Sequence, residues 1–304
     1  MDTRRLQAFV KIVDLGSVTR AAKVLNVAQP ALSQQIAGLE AEFQSRLFDR
    51  TPRGVTPTEA GQTLYRYAKS IQRQLDEARR HILDTNHHLT GNVTVGLAPF
   101  SSATLLALPL LAETRRRHPG IVLHIVDSFG IVLSELMLKG AMDIALLYGN
   151  RPVRGLDYKP VLQERFCLVA ASHRFDGLAP DAAIAPVRLG GFDLLLPSRE
   201  SFLRQAVERI CAEGDVQARV VAEVQSLGLL SAALAADIGA TVLPASIAAT
   251  LPDRALLDRR AIGAEAAALP LSLCISDYAG LSDPAFAVYN ILNELIAGGE
   301  ALQR

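Results

Sequence analysis

The chain has 304 residues, half of them hydrophobic, so it is long enough for two domains that each bury a core. Its 31 Lys and Arg balance 31 Asp and Glu overall, but positions 1–90 hold 13 basic and 9 acidic residues, and the remainder is acidic by the same margin. This distribution excludes a uniformly basic or acidic protein and places any polyanionic partner at the N-terminal part.

The cysteines and the hydropathy pattern exclude further classes of protein. Cys167, Cys211 and Cys274 are odd in number and widely spaced, which argues against a disulfide framework and a zinc site. The uncharged stretch 92–112 contains prolines and hydroxyl residues and suits a strand, a turn and a short helix better than a membrane span of ~20 apolar residues. The chain also opens with charged residues and not with the apolar core of a signal peptide. We expect a cytoplasmic protein without membrane contact, cofactor or metal.

Three helices joined by short turns are predicted in the first 45 residues. Apolar residues recur at helical spacing from Leu6 to Val13, and Gly16 ends this first helix. Ser17 caps the second helix, and Pro30 lies in the first turn of the third, where its missing N–H costs nothing. The third helix has an apolar inner face and an outer face of small polar residues, which are Ser33, Gln34, Gln35 and Gly38.

This outer face predicts a helix that reads DNA. Two short helices, a tight turn and a third helix form a helix-turn-helix, whose third helix fits the major groove. Glutamine pairs with adenine there, and serine bonds to several base edges. The alternative is a generic helical bundle with a solvated polar face. We assign the DNA contacts of this helix to Gln29, Pro30, Ser33 and Gln34.

A short basic hairpin is predicted directly after the three helices. Residues 47–50 form one strand, 51–54 the turn and 55–56 the returning strand, which together make a wing. The wing places Arg50 and Arg53 on a protruding loop, where a cation reaches phosphates or a narrow minor groove. The alternative is an ordinary solvated hairpin.

Together these segments resemble the DNA-binding signature of LysR-type transcriptional regulators. The resemblance depends on Phe9, Gly16-Ser17, Ala21-Ala22, Leu25, Gln29-Pro30-Ala31-Leu32-Ser33, Ile36, Leu39-Glu40, Leu47-Phe48, Arg50, Thr56, Thr58 and Gly61. Segments 10–14 and 53–58 are similar to the nitrogen assimilation control regulators of that family. Ala28 departs from the pattern, because many members carry Ser or Thr there, and it removes one possible cap or phosphate contact.

The resemblance covers essentially the whole chain and implies partners as well as a fold. It implies double-stranded DNA as the target, a homodimer that often doubles to a homotetramer, and RNA polymerase as the downstream partner. It also implies a periplasmic-binding-protein-like bilobed effector domain, so the expected fold is α/β with an N-terminal winged helix-turn-helix and a long linker helix. The expected domains are the winged helix-turn-helix at 1–58, the linker helix at 59–90 and the effector domain at 91–304.

From Thr58 to about residue 89 the pattern predicts a single long helix. Its apolar residues alternate in steps of four and three, which indicates a heptad seam that packs against a partner helix. The alternative is that the seam packs on the chain's own body. A twofold pair of heads would read half-sites about one helical turn (~34 Å) apart. The seam consists of Leu64, Ala68, Ile71, Leu75, Ala78 and Ile82.

Beyond Gly91 strands and helices alternate, which predicts a mostly parallel sheet with helices on both faces. Two lobes are expected, one from 91–163 with 268–304 and the other from 164–267, with crossings near Val161–Arg165 and Ala264–Pro270. Predicted strands are 93–97, 121–126, 143–148, 166–171, 192–196, 218–224, 240–243 and 269–275. One predicted helix ends at 117, and four others span 131–139, 199–213, 226–236 and 283–297.

Ligands of open α/β sheets bind at the carboxyl ends of the strands, which selects candidate effector residues around a cleft between the lobes. Hydroxyl groups at helix starts suit an anion, and Arg199 suits a carboxylate. The alternative for each serine is simple helix capping. A further alternative is that the regulator responds mainly to its own abundance and that the cleft is vestigial. The candidates are Ser101, Ser102, Ser128, Tyr148, Ser198, Arg199 and Gln225.

Catalytic motifs are absent from the sequence. It has no G-x-S-x-G, no H-E-x-x-H and no phosphate-binding G-x-x-x-x-G-K, so no catalytic residues are assigned and an enzyme is not expected. A solute-binding protein is the rival interpretation of 91–304, but that function requires export. The sequence therefore predicts a DNA-binding transcription regulator. The resemblance implies that a small molecule in the cleft tunes it and that it has a role in nitrogen or amino-acid metabolism.

Overall fold

The computed structural model describes residues 2–51, 54–83, 89–149, 153–179, 182–252, 256–276 and 280–299. They form two compact units, one made essentially of the chain before Leu89 and one essentially of the chain from Leu89 onward. Each unit has its own core, as the length of the chain predicts.

The N-terminal unit begins with the three predicted helices, α1 (Thr3–Leu15), α2 (Val18–Val24) and α3 (Gln29–Phe43). Gly16 ends α1 in the left-handed conformation, with φ of 62°. Ser17 then caps α2 by accepting the N–H of Arg20 at 3.3 Å. The three helices enclose a core that includes Leu6, Phe9, Ile12, Leu32 and Leu39.

The predicted wing follows as strands β1 (Phe48–Thr51) and β2 (Gly54–Pro57), which pair antiparallel. We call α1, α2, α3 and the wing the head. The 25-residue helix α4 (Glu59–Leu83) comes next and is about 37 Å long. Residues 84–88, where the predicted linker helix continues, lie outside the described residues.

The first lobe of the C-terminal unit is built on β3 (Gly91–Leu97). This strand lies between β4 (Ile121–Asp127) and β5 (Ile144–Tyr148) and pairs parallel with both. A 3-10 helix, Ser102–Leu106, leads from β3 into α5. The helices of this lobe are α5 (Ala107–Arg117), α6 (Gly130–Leu138) and α10 (Asp283–Gly298).

The second lobe contains a parallel pair, β7 (Asp193–Leu196) and β8 (Arg219–Glu223), and strands β9 (Thr241–Pro244) and β10 (Leu257–Ala261). Its helices are α7 (Phe202–Glu213), α8 (Leu227–Ala235) and α9 (Ala245–Ala248). Two long strands, β6 (Leu156–Ala171) and β11 (Ala268–Ser276), are neighbours in one sheet. β6 pairs with β9 and β10, whereas β11 pairs with β5 of the first lobe.

The structure corrects two expectations about these strands. The sheet is mixed and not mostly parallel, because β11 runs antiparallel to β5 and β6 runs antiparallel to β9 and β10. β6 begins ten residues earlier than the predicted strand 166–171, and β10 was not predicted at all. Both missed segments carry charged residues. β10 is an edge strand of the sheet, and polar side chains are common on edge strands because one of their edges faces solvent.

Candidate nucleic-acid interface

Helix α3 presents two different faces. Leu32, Ile36 and Leu39 are buried in the head, whereas Gln29 and Gln34 are exposed. A helix with a buried apolar stripe and a polar outer face keeps its orientation while the outer side chains stay accessible. The predicted outward position of Gln34 therefore holds.

The first turn of α3 is uncapped. Ala28 precedes the helix and makes no side-chain capping hydrogen bond, and Pro30 lies in the first turn. Ala28 therefore offers the N–H groups of this turn no side-chain acceptor, and uncapped N–H groups at a helix start are suited to phosphate. Ser33 is half-buried and lines an open pocket between α3 and the wing, together with Arg46 and Asp49.

The carboxylate of Glu40 holds the wing against α3. It accepts the N–H of Leu47 at 2.8 Å and that of Phe48 at 3.4 Å. The ring of Phe48 lies 5.1 Å from that of Phe9, centroid to centroid. Glu40 belongs to the family signature, but its role does not follow from the sequence, because the two N–H groups that it accepts lie seven and eight residues further along the chain.

The returning strand of the wing is held by α1. The N–H of Val55 donates to the carbonyl oxygen of Gly16 at 3.1 Å. At Gly54, whose φ is 139°, a Cβ would lie 2.4 Å from that same oxygen, so only glycine fits. Of Arg50 only the backbone is described, paired with Val55, and Arg53 lies outside the described residues. Their DNA contacts stay predictions.

The first two residues of the predicted seam on α4 do not face a partner helix. Leu64 and Ala68 are 9% and 0% exposed and belong to the core of the head, where α4 packs on α1. Their own chain covers them, so the alternative that the seam packs on the chain's own body holds for these two residues. They are not available to a partner. Leu75, 36% exposed, and Ala78 are accessible. Ile71 packs partly on the head, and the side chain of Ile82 lies outside the described residues.

In the C-terminal unit the structure brings Ser102 and Tyr148 together around a buried carboxylate, that of Glu164. The N–H of Ser102 donates to Glu164 Oε1 at 2.6 Å, and the Tyr148 hydroxyl donates to Oε2. Burial raises the pKa of the Glu164 carboxyl, and the hydrogen bonds from Ser102 and Tyr148 oppose that rise. Glu164 was not predicted as a site residue, because a lone glutamate within a charged segment is typical of a solvated position.

The remaining candidate effector residues do not join this cluster. Ser101 caps the short helix after β3, since its Oγ accepts the N–H of Ala103 at 3.2 Å and donates to the Ala98 carbonyl at 2.7 Å. The capping interpretation therefore holds for Ser101. Three others differ in burial: Ser128 is half-buried, whereas Arg199 and Gln225 are exposed. Ser198 is buried two residues after β7, and Ser201 is the residue that caps α7.

These features agree with two family models that together match most of the chain. Residues 3–62 match the bacterial regulatory helix-turn-helix protein of the lysR family, and residues 86–296 match the LysR substrate binding domain. The chain belongs to the LysR family. It is a transcription regulator and not an enzyme. The rival interpretation of 91–304 as an exported solute-binding protein is therefore wrong.

Two curated relatives of this LysR-type regulator match it over nearly its whole length. The nitrogen assimilation regulatory protein nac of Klebsiella aerogenes is 39% identical, covering 98% of this chain and 96% of the relative. The protein of the same name from Escherichia coli K12 is 37% identical over the same shares of the two chains.

Solved structures share the fold of this LysR-type regulator. A full-length OxyR variant from Pseudomonas aeruginosa matches with a TM-score of 0.71 at 20% identity, covering 100% of this chain and 97% of that one. Full-length CbnR in complex with its target DNA matches with a TM-score of 0.54 at 19% identity, covering 97% and 100%. The family models and these structural matches confirm the predicted winged helix-turn-helix and bilobed fold. LysR-type regulators bind DNA and act as oligomers.

The three thiols of this LysR-type regulator are all buried. Cys167 Sγ donates to the Leu243 carbonyl at 3.5 Å, and Cys274 Sγ to that of Ser272 at 3.6 Å. Burial raises the pKa of each thiol, that of Cys167 to about 12. In the described part of the chain no helix is long and apolar enough to span a membrane, and no three His, Cys, Asp or Glu side chains group as metal ligands.

We expect the native protein at pH 8 to react slowly with iodoacetamide. The thiolate is the reactive form, and with a pKa of about 12 roughly one Cys167 thiol in 10,000 is ionised at that pH. Unfolding in urea returns the thiols to their ordinary pKa, so all three should then be modified within minutes. Mass spectrometry counts the adducts in both states, and rapid modification of the native protein would contradict the burial of these side chains.

Proposed function

We propose that this chain reads DNA in the cytoplasm as a homodimer or homotetramer, in control of nitrogen or amino-acid metabolism, and acts on transcription through RNA polymerase. The observation that carries the proposal is the two-faced α3, which is anchored by Leu32, Ile36 and Leu39 and leaves Gln29 and Gln34 accessible. The names of the two curated relatives support the metabolic role.

In the proposed complex α3 lies in the major groove. The amide of Gln34 bonds to the N6 and N7 edge of an adenine, while the uncapped first turn at Gln29 meets a phosphate. Ser33, at the pocket between α3 and the wing, contacts the neighbouring backbone or base edge. Arg50 and Arg53 of the wing lie along phosphates or in the adjacent minor groove.

The dimer is proposed to form through α4. Leu75 and Ala78 are exposed in its C-terminal half, and an open, mainly apolar groove lies at its N-terminal end. Phe43, Leu47 and Tyr67 are among the residues that line this groove. A twofold axis that pairs the helices antiparallel places the exposed half of each α4 on the groove of the other, and this contact is isologous.

A second set of apolar side chains supports assembly beyond the dimer. Leu108 and Leu111 of α5 and Val122 of β4 are exposed on the first lobe, and Val221 of β8 and Leu229 of α8 on the second. Exposed apolar patches mark interaction surfaces. We propose that they contact further copies of the chain, which makes a tetramer from two dimers.

A small-molecule effector is proposed at Arg199 and Gln225, with Ser128 and Ser198 nearby in the cleft between the lobes. Arg199 and Gln225 are exposed and lie three and two residues after the ends of β7 and β8, where ligands of α/β sheets bind. The guanidinium of Arg199 suits a carboxylate. The effector acts by binding one arrangement of the lobes more tightly than another.

The variant Gln34→Ala tests the reading role of α3. A bidentate amide contact contributes about 1–3 kcal/mol of discrimination, so the variant should lose preference at one position of each half-site and keep it elsewhere. Fluorescence anisotropy with a genomic site and its single-base variants measures this preference. Gln7→Ala removes the same amide from the exposed surface of α1 and should leave binding unchanged.

Two results oppose the proposed function. Equal losses by Gln34→Ala on every sequence would reject its contact with a base. If the wild-type protein showed no preference for any genomic fragment over random duplex at moderate salt, the whole proposal would fail, because phosphate contacts alone carry no sequence information.

A further inference from the structure

We infer that Glu164 is a built-in ligand, whose carboxylate fills the anion site formed by Ser102 and Tyr148 in the C-terminal unit and closes that site to small carboxylates. The inference deepens the proposed function, because it concerns which part of the cleft an effector can reach. If Glu164 closes the site at Ser102 and Tyr148, Arg199 and Gln225 form the part of the cleft that an effector can reach.

The donors around Glu164 reach both oxygens of its carboxylate. Ser102 N–H binds one oxygen at 2.6 Å and the Tyr148 hydroxyl binds the other, so both oxygens are satisfied by donors from the first lobe. The site is closed to water, since Ser102, Tyr148 and Glu164 are 0%, 2% and 3% exposed. Burial and the charge of Glu164 raise the pKa of Tyr148, so its hydroxyl stays protonated and donates.

The Glu164 carboxylate lies where α/β sheets bind ligands, and in the part of the chain that the structure describes it is not part of an ion pair. Tyr148 ends β5, and Ser102 follows β3 after a short turn, so both donors lie at the carboxyl ends of parallel strands. Within the described residues no lysine or arginine pairs with Glu164. A buried carboxylate without a cation is costly, whereas neutral donors that converge on one carboxylate are typical of an anion-binding pocket.

Packing around Tyr148 shows that the lobes already meet at this place. Phe202, the first residue of α7 in the second lobe, stands edge-on to the Tyr148 ring with 6.3 Å between centroids. Gly130 leaves room for Phe202, because a Cβ there would lie 2.2 Å from the Phe202 ring. Glu164 itself comes from β6, the long strand that pairs with the second lobe. The carboxylate thus joins donors of one lobe to a strand shared with the other.

Chemical rescue tests the inference on the full-length protein without DNA. Glu164→Ala leaves two buried donors unpaired and should lower the melting temperature by roughly 3–8 °C. Sodium formate fits the space left by the carboxylate and should restore at least half of that loss, compared with sodium chloride at equal ionic strength. The matched control Glu265→Ala removes an exposed carboxylate and should show no specific effect of formate.

Two further measurements keep the test decisive. Glu164→Gln retains an acceptor and the shape of the side chain, so it should fold and show no formate-specific shift, even if Glu164→Ala does not fold. The wild type should also show none, and a formate-specific shift of the wild type that persists in Arg199→Ala would overturn the inference. So would a Glu164→Ala protein that responds equally to formate and chloride. Neither result bears on DNA reading, which the Gln34→Ala experiment tests separately.

Discussion

Gly61→Ala is expected to destabilise the head by about 2–4 kcal/mol and to weaken specific DNA binding at least tenfold. A Cβ at Gly61 would lie 2.1 Å from the carbonyl oxygen of Leu47 and 3.1 Å from its carbonyl carbon. Both are backbone atoms, so no flexible side chain can move aside. The same oxygen accepts the N–H of Thr58 at 3.1 Å, and Glu40 holds the N–H of Leu47. Relief of the clash therefore displaces the wing, the start of α4, or both.

Thermal unfolding and anisotropy with a specific duplex measure the two effects of Gly61→Ala. Gly228→Ala is the matched control, because its Cβ would meet only the Ser226 hydroxyl at 3.8 Å, which is ordinary contact. Alanine is also a better helix former than glycine, so this control should be at least as stable as the wild type. A Gly61→Ala protein with wild-type melting and affinity would show that the contact between α4 and Leu47 is not as close as the structure has it.

Leu75→Glu is expected to dissociate the proposed α4 dimer and to weaken binding to a two-half-site operator by about a hundredfold or more. The side chain is partly exposed in the monomer, so the monomer should fold normally. In the dimer the substitution places two buried negative charges in an apolar contact, where desolvation costs several kcal/mol per charge. Once the subunits separate, each head binds its half-site alone.

Sedimentation velocity and operator binding measure these consequences of Leu75→Glu. Gln74→Glu adds the same charge to the neighbouring exposed position of α4 and should leave both assembly and affinity near wild type. If Leu75→Glu stayed dimeric with unchanged affinity, the dimer would have to form through a different surface. Binding to a single half-site should be the same for both variants, which separates loss of assembly from damage to the head.

Periodicity was sufficient to predict most of the elements, because each amphipathic segment has one face that must be buried. It was not sufficient to identify which partner buries that face. Leu64 and Leu75 are both apolar seam positions of the heptad pattern, yet one belongs to the head's own core and the other is accessible. The sequence of a helix shows which apolar side chains are buried, but it does not identify the surface that buries them.

The candidate sites were predictable to different degrees. Gln34 follows from the period of α3, because the buried face of a helix determines which side chains face outward. Glu164 does not follow from any local pattern, since its partners Ser102 and Tyr148 lie 62 and 16 residues away in the chain. Convergence of distant segments at strand ends depends on topology, and the mixed order of the sheet was not foreseen.

The burial of Leu64 and Ala68 also joins the first half of α4 to the core of the head. The Tyr65 hydroxyl donates to Asp14 of α1 and ties the same segment to the head a second time. In the proposed α4 dimer, the distance and rotation between the two heads are therefore determined by the crossing of the two α4 helices. Operators should then tolerate base changes in the spacer far better than changes in its length, because an added half turn of duplex, about five base pairs, moves one half-site to the opposite side of the DNA.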